Sequence, residues 1–214
     1  ELIDDNIPAE KVFATGIPIS KRFLMTYDRA QVMNSFNLNL DKKVILLFGG
    51  GEFGLGREQT LKILKSFITH STQHQIVAIS GKNEKMKESF EKLVEELHSE
   101  NMVRVLPYTT QVPELMSIAD FVVTKPGGLT STESLVSGLP MVLINPIPGQ
   151  EEENAQFLES AGVGIWLHSK ENYDEIITEL LNDENKLNQM RKNTELLAKK
   201  NSTMDICKTI LQAK

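Results

Sequence analysis

Six short apolar runs punctuate the chain, at 44–48, 76–79, 103–106, 121–123, 141–144 and 164–167. Each is rich in β-branched residues and nearly continuous rather than alternating, the pattern of strands buried on both faces of a parallel sheet. Between and after them lie segments of helical period, at about 58–69, 84–98, 112–117, 130–136, 151–160 and 174–181. This regular alternation predicts a doubly wound parallel α/β domain. The stretch from about 184 to 212 reads as two further helices broken near Asn201-Ser202, and the opening around 12–19 as a strand and turn. The chain thus divides into a leading interdomain segment (1–20), the α/β domain (21–183) and C-terminal helices (184–214).

Composition narrows the picture. With 214 residues, 40% of them hydrophobic, the chain can bury one substantial core. A formal charge of -6 argues against a nucleic-acid binder, because affinity for a phosphate backbone needs clustered Lys and Arg. The single cysteine, Cys207, excludes an internal disulfide framework and a multi-cysteine metal site, and fits a reducing compartment. No apolar run approaches the roughly 20 residues that cross a bilayer, and no basic-then-apolar leader opens the chain. It starts at Glu1 partway along an amphipathic segment, so an excised piece of a longer, cytoplasmic protein is expected.

In a doubly wound sheet, ligands bind beyond the carboxyl ends of the strands. The unusual residues collect there. Gly49-Gly-Gly-Glu-Phe-Gly-Leu-Gly56 follows the first strand, Gly81-Lys82 the second and Pro107-Tyr-Thr-Thr110 the third. Lys125-Pro-Gly-Gly-Leu-Thr-Ser-Thr-Glu133 follows the fourth, and Pro148-Gly-Gln-Glu-Glu-Glu-Asn154 the fifth. Gly49, Gly50 and Gly51 would let backbone N–H groups approach a diphosphate, or simply make a tight strand-to-helix turn; the run matches neither a Walker A loop nor the dinucleotide fingerprint. In the second motif Gly127 and Gly128 form a turn, and Thr130 or Ser131 is a candidate helix N-cap, which puts Glu133 in the first turn. There Glu133 can complete a capping box, or accept both hydroxyls of a ribose with its two oxygens. Lys125 can offset diphosphate charge or remain solvated. Gln150, Glu151 and Asn154 share one face of a helix start, suited to sugar hydroxyls or to a plain acidic first turn.

The other candidates are weaker. His70, His74, His98 and His168 lack metal-ligand spacing, and Trp166 on the last strand is read as core. Lys186, Arg191, Lys192, Lys199 and Lys200 form either a solvated helix face or a contact with an anionic membrane surface.

The order of these motifs, a Gly-rich turn, then Lys-Pro-Gly-Gly-x-Thr-x-x-Glu, then Pro-Gly-Gln-Glu-x-Glu-Asn-Ala, resembles the C-terminal domain of GT-B glycosyltransferases of the glycosyldiacylglycerol synthase group. That group comprises bacterial processive diacylglycerol glucosyltransferases and plant monogalactosyldiacylglycerol synthases, and is related to the peptidoglycan lipid-intermediate N-acetylglucosaminyltransferase. The resemblance spans nearly the whole chain and implies a Rossmann-like, nucleotide-sugar-binding domain. It implies that Gly50 and Gly51, next to Gly49, contact the diphosphate, that the backbone near Thr109 pairs with uracil, and that Gly128 and Thr130, beside Gly127 and Lys125, lie by the phosphates. Glu133 would hold the ribose, and Gln150, Glu151 and Asn154 the donor hexose. The implied reaction is inverting transfer of hexose from UDP-glucose or UDP-galactose to diacylglycerol, with no metal and no further cofactor; the third motif leans the donor toward glucose.

In that family the acceptor site and general base belong to an N-terminal domain, of which only the turn at 15–18 is expected here. The catalytic residues are therefore not identifiable in this chain, which by itself is expected to bind UDP-sugar but to transfer it poorly. Membrane contact of the whole protein would be peripheral, on the inner face, with the lipid acceptor reached through the other domain. Two alternatives compete: a non-catalytic nucleotide-sugar-binding subunit of a two-component transferase, and a UDP-sugar 2-epimerase-like domain.

Overall fold

The computed structural model describes residues 6–49, 56–168 and 172–212. Six strands form one parallel sheet in the order β3-β2-β1-β4-β5-β6. They are β1 (Lys43–Phe48), β2 (His74–Gly81), β3 (Val103–Pro107), β4 (Phe121–Thr124), β5 (Met141–Leu143) and β6 (Gly164–Trp166). The helices are α1 (Arg29–Ser35), α2 (Arg57–His70), α3 (Glu84–Glu96), α4 (Val112–Ile118), α5 (Gly128–Val136), α6 (Gln150–Ser160), α7 (Tyr173–Asn182), α8 (Glu184–Leu197) and α9 (Ser202–Gln212). The expected doubly wound architecture is present, with the strand order reversing between β1 and β4.

The continuous apolar strands follow from burial on both sides. Side chains alternate faces with period two, so Ile45 and Leu47 join one core with Ile63, Phe67 and Phe90, while Val44 and Leu46 join another with Leu115, Met116 and Leu158. All four β1 residues from Val44 to Leu47 have no exposed surface. Each such side chain contributes roughly 1.5–3 kcal/mol of burial. α8 belongs to the first core, supplying Leu187 and Met190.

One expectation is corrected. The segment at 12–19 forms no strand: it has no regular structure, lies between 3-10 turns at Ala9–Lys11 and Lys21–Leu24, and has no sheet partner. It contacts the α8–α9 junction instead, where the Ser202 hydroxyl donates to Ile17 O at 2.8 Å; the turn that follows it is held to α4 by Arg22, paired with Glu114 at 2.7 Å. Conversely, α1 is a helix that the apolar pattern underrated. Its Asp28 N-cap accepts from Gln31 N at 2.7 Å, and Val32 and Met33 enter the core. The expected break in the C-terminal helices falls at 198–201.

Candidate functional site

β4 ends in buried Thr124, and the chain turns through Lys125-Pro126 into α5. The helix starts earlier than its hydroxyl residues suggest. Gly127 is the N-cap, with no side-chain cap, and Ser131 N donates to Gly127 O at 2.9 Å. Thr130 and Ser131 are therefore helical positions, not caps. The hydroxyls around them turn inward along the helix, Thr132 to Gly128 O at 2.7 Å and Ser134 to Thr130 O at 2.8 Å. Glu133 then lies in the second turn, too far along to complete a capping box. The first N–H groups of α5 are left without a side-chain acceptor, pointing out of the positive end of the helix dipole.

α6 repeats the arrangement. Its N-cap is Gly149, again without a side-chain cap, and Gly149 sits at φ 98, ψ -126, a backbone region that glycine alone occupies readily. Glu151 Oε2 accepts from Ile147 N at 2.8 Å and so tethers the β5–α6 loop. The Asn154 amide donates to Pro126 O at 2.9 Å, tying α6 to the loop before α5.

Together these ends border a cleft of about 370 Å³ beyond β1, β2 and β4. It lies at the point where the strand order reverses, which is where α/β sheets hold their ligands. Thr109, Lys125, Gly127, Thr130 and Glu151 line it. Phe48, Ile79 and Val112 give it an apolar wall, and Tyr108, 61% exposed with Lys82 Nζ 5.6 Å from its ring centroid, stands at its rim. The apolar wall suits a planar base. The glycine turn and Lys125 suit an anion.

The expected site residues do not all share that cleft. Thr109 Oγ1 accepts from Gln111 N at 3.1 Å, which shapes its loop. Gly128 lies next to the lining, where an added Cβ would come 3.2 Å from Ile17 Cδ1. Gly49 is buried; its N–H donates to Ile79 O at 2.8 Å, and the space a side chain would need is filled by Met86 and Phe90. Its missing Cβ thus serves packing against α3. Gly50 and Gly51 lie outside the described residues. Gln150 is exposed at the first position of α6, and Asn154 acts on the loop rather than lining the space. Glu133 is half-buried one turn beyond Thr130, and its carboxylate forms no hydrogen bond or ion pair with the described residues; burial raises its carboxyl above the ordinary range. The sequence pattern passed over Phe48, Ile79 and Val112. Their signal was position: strand ends and a helix start at the same sheet edge.

Among the described residues no group of three or more His, Cys, Asp or Glu could hold a metal ion, and no helix is long and apolar enough to cross a membrane.

The family model described as glycosyl transferases group 1 matches residues 28–196, most of the chain and the whole of this sheet. The chain belongs to the glycosyl transferases group 1 family. It is 36% identical over 212 residues to a processive diacylglycerol beta-glucosyltransferase of Bacillus licheniformis, a match covering 99% of this chain and 54% of that protein. It therefore spans about half the length of the curated relatives it matches. Among solved structures it is similar to MurG of Acinetobacter baumannii (TM-score 0.69, 22% identity, 92% of this chain and 57% of that one). It is also similar to Anabaena Alr3699/HepE in complex with UDP and glucose (TM-score 0.68, 18% identity, 98% and 59%). The shared fold is the Rossmann-like half of a GT-B glycosyltransferase.

Proposed function

We propose that this chain is the donor-binding part of a glycosyltransferase that moves hexose from a UDP-hexose to the hydroxyl of diacylglycerol. The observation that carries the reading is the cleft where two glycine-started helices, α5 and α6, meet an apolar wall at the switch point of the sheet. Uracil would lie against Phe48, Ile79 and Val112, within reach of the Thr109 backbone. The diphosphate would lie over the N–H groups of α5, with Lys125 as counter-charge. Glu133 would accept the ribose hydroxyls once the ligand completes its surroundings, and Gln150, Glu151 and Asn154 would meet the hexose.

Chemically, such a site acts on the leaving group. As the anomeric bond breaks, negative charge grows on the UDP phosphate, and fixed helix-terminal N–H groups plus Lys125 stabilise it without reorganising. A metal ion would be dispensable under this scheme. The relatives' name supports glucose as donor and diacylglycerol as acceptor. Acceptor binding and the general base fall to residues outside this chain, and the membrane is met peripherally on its cytoplasmic face.

The test is a titration of UDP, UDP-glucose and UDP-galactose against wild type and Glu133→Ala. A ribose contact weakens all three ligands alike, by about 1.5–3 kcal/mol, as for a hydrogen bond to a charged group. Unchanged affinities would remove Glu133 from the site.

A further inference from the structure

A second cavity, of about 450 Å³, lies on the other side of the first turn of α6. Gln59, Asn145, Pro148, Glu152, Trp166 and His168 line it. Its volume falls within the roughly 300–1,000 Å³ of small-molecule sites. Consecutive residues divide the two spaces: Glu151 borders the cleft described above and Glu152 this cavity. Successive helical residues point about 100° apart, so one turn of helix serves as a partition between them.

The walls are built and held. Asn145 adopts φ 48 and donates its amide to Gly56 O at 3.1 Å and Thr60 Oγ1 at 3.0 Å, fixing the exit of β5 to the start of α2. A side chain at Gly56 would collide with Asn145. Gln59 donates to Leu167 O at 3.3 Å, and Trp166 N donates to Glu159 Oε1 at 3.0 Å, holding the end of β6. Trp166 is not wholly core. It is half-buried, and its ring stacks on that of His168 with centroids 4.1 Å apart and planes 33° apart.

The chemistry differs from that of the first cleft. Among the described lining residues there is no lysine or arginine, and Glu152 would repel a phosphate. What converges is an aromatic pair, a carboxylate and amides. An aromatic face packs against the C–H face of a sugar ring, while carboxylate and amide oxygens accept from its hydroxyls. We infer that this cavity is a subsite for an uncharged hexopyranoside, separate from the nucleotide cleft. The inference rests on the hexosyl-transfer reading, under which the product carries a hexopyranoside. The sugar could come free in solution or as the headgroup of a glycolipid.

Trp166 is the single tryptophan of the chain and lines this cavity, so its fluorescence reports on occupancy there. Methyl β-D-glucopyranoside should change it saturably, with Kd on the order of 1–10 mM. Glu152→Ala should weaken that response by about fivefold, roughly 1 kcal/mol, while UDP affinity measured calorimetrically stays unchanged and shows that the variant is folded. Saturating UDP should leave the glucoside response in place. Phosphatidylcholine vesicles containing glucosyl-diacylglycerol, compared with plain ones, separate the two sources. A response to the glycolipid that the soluble glucoside competes away assigns a headgroup site; a response to the soluble glucoside alone assigns a free-sugar site. The inference is overturned if the glucoside gives no saturable change, if Glu152→Ala responds like wild type, or if UDP displaces the glucoside. UDP binding alongside any of these leaves the nucleotide cleft standing by itself.

Discussion

Two kinds of helix start coexist in this protein. α1, α3 and α8 open on Asp28, Asn83 and Asp183, whose side chains accept from backbone N–H groups at 2.7, 3.0 and 2.8 Å. α5 and α6 open on Gly127 and Gly149 with no side-chain cap. A cap of the first kind contributes about 1 kcal/mol over alanine and a few tenths over glycine, so its omission at α5 and α6 costs little stability. α2, α4 and α7 also start without a side-chain cap; what sets α5 apart is that its glycine start lines the cleft at the sheet's switch point, with Glu151 of α6 beside it. Helix ends satisfied by their own side chains are structural; ends left bare around a cavity have N–H groups to offer an anion.

The largest effect expected from this contrast comes from converting one kind of start into the other. Gly127 has φ -71 and ψ 145, extended backbone open to any residue, so Gly127→Ser can supply the missing cap. Helix stability should rise by a few tenths of a kcal/mol. UDP affinity should fall by about 10- to 100-fold, because the hydroxyl takes an N–H group meant for a charged oxygen. Calorimetric titration beside a thermal melt reads both. The opposite change is smaller: Asn83→Ala should cost about 1 kcal/mol in denaturant unfolding and leave UDP affinity untouched. If Asn83→Ala weakened UDP as much as Gly127→Ser, the distinction between the two kinds of start would collapse.

The smallest effect sharpens the place of Glu133. Burial raises its carboxyl, so the folded state holds a proton that the unfolded state has released, and stability falls as pH rises through the window between the two values. Glu133→Gln should therefore melt at or slightly above wild type at pH 7, the advantage vanishing on acidification below the ordinary carboxylate value. A capping carboxylate would give the reverse sign, with loss of stability at neutral pH. Melts at two pH values distinguish them.

Much of this was legible in the chain. Val44 to Leu47 announced a central strand because burial on both faces leaves no room for a polar position, and the glycine motifs fell at strand ends because loops there need exposed backbone. What escaped has physical reasons. The segment at 12–19 has the β-branched, Pro-flanked look of a strand, but pairing depends on partners that local pattern does not reveal; its Ile17 carbonyl is taken by Ser202 instead. Thr130 and Ser131 look like caps because hydroxyls favour that place, yet Gly127 starts the helix and neighbouring Thr132 and Ser134 bond back one turn. Gly49 reads like a phosphate-binding glycine, but what it accommodates is Met86 and Phe90. Trp166, read as core, is shared between core and cavity, a division that depends on where β6 ends relative to α2.

On the proposed reading, the bare start of α5 holds the diphosphate of UDP in the cleft beside Lys125. Titrating UDP into isotope-labelled protein and following the backbone amide resonances tests it directly. Saturable shifts should concentrate at Thr109, Lys125, Gly127, Gly128, Thr130 and Glu151, with Asn83 to Met86 at the capped start of α3 unmoved. Saturable shifts centred elsewhere, or no binding at all, would contradict it.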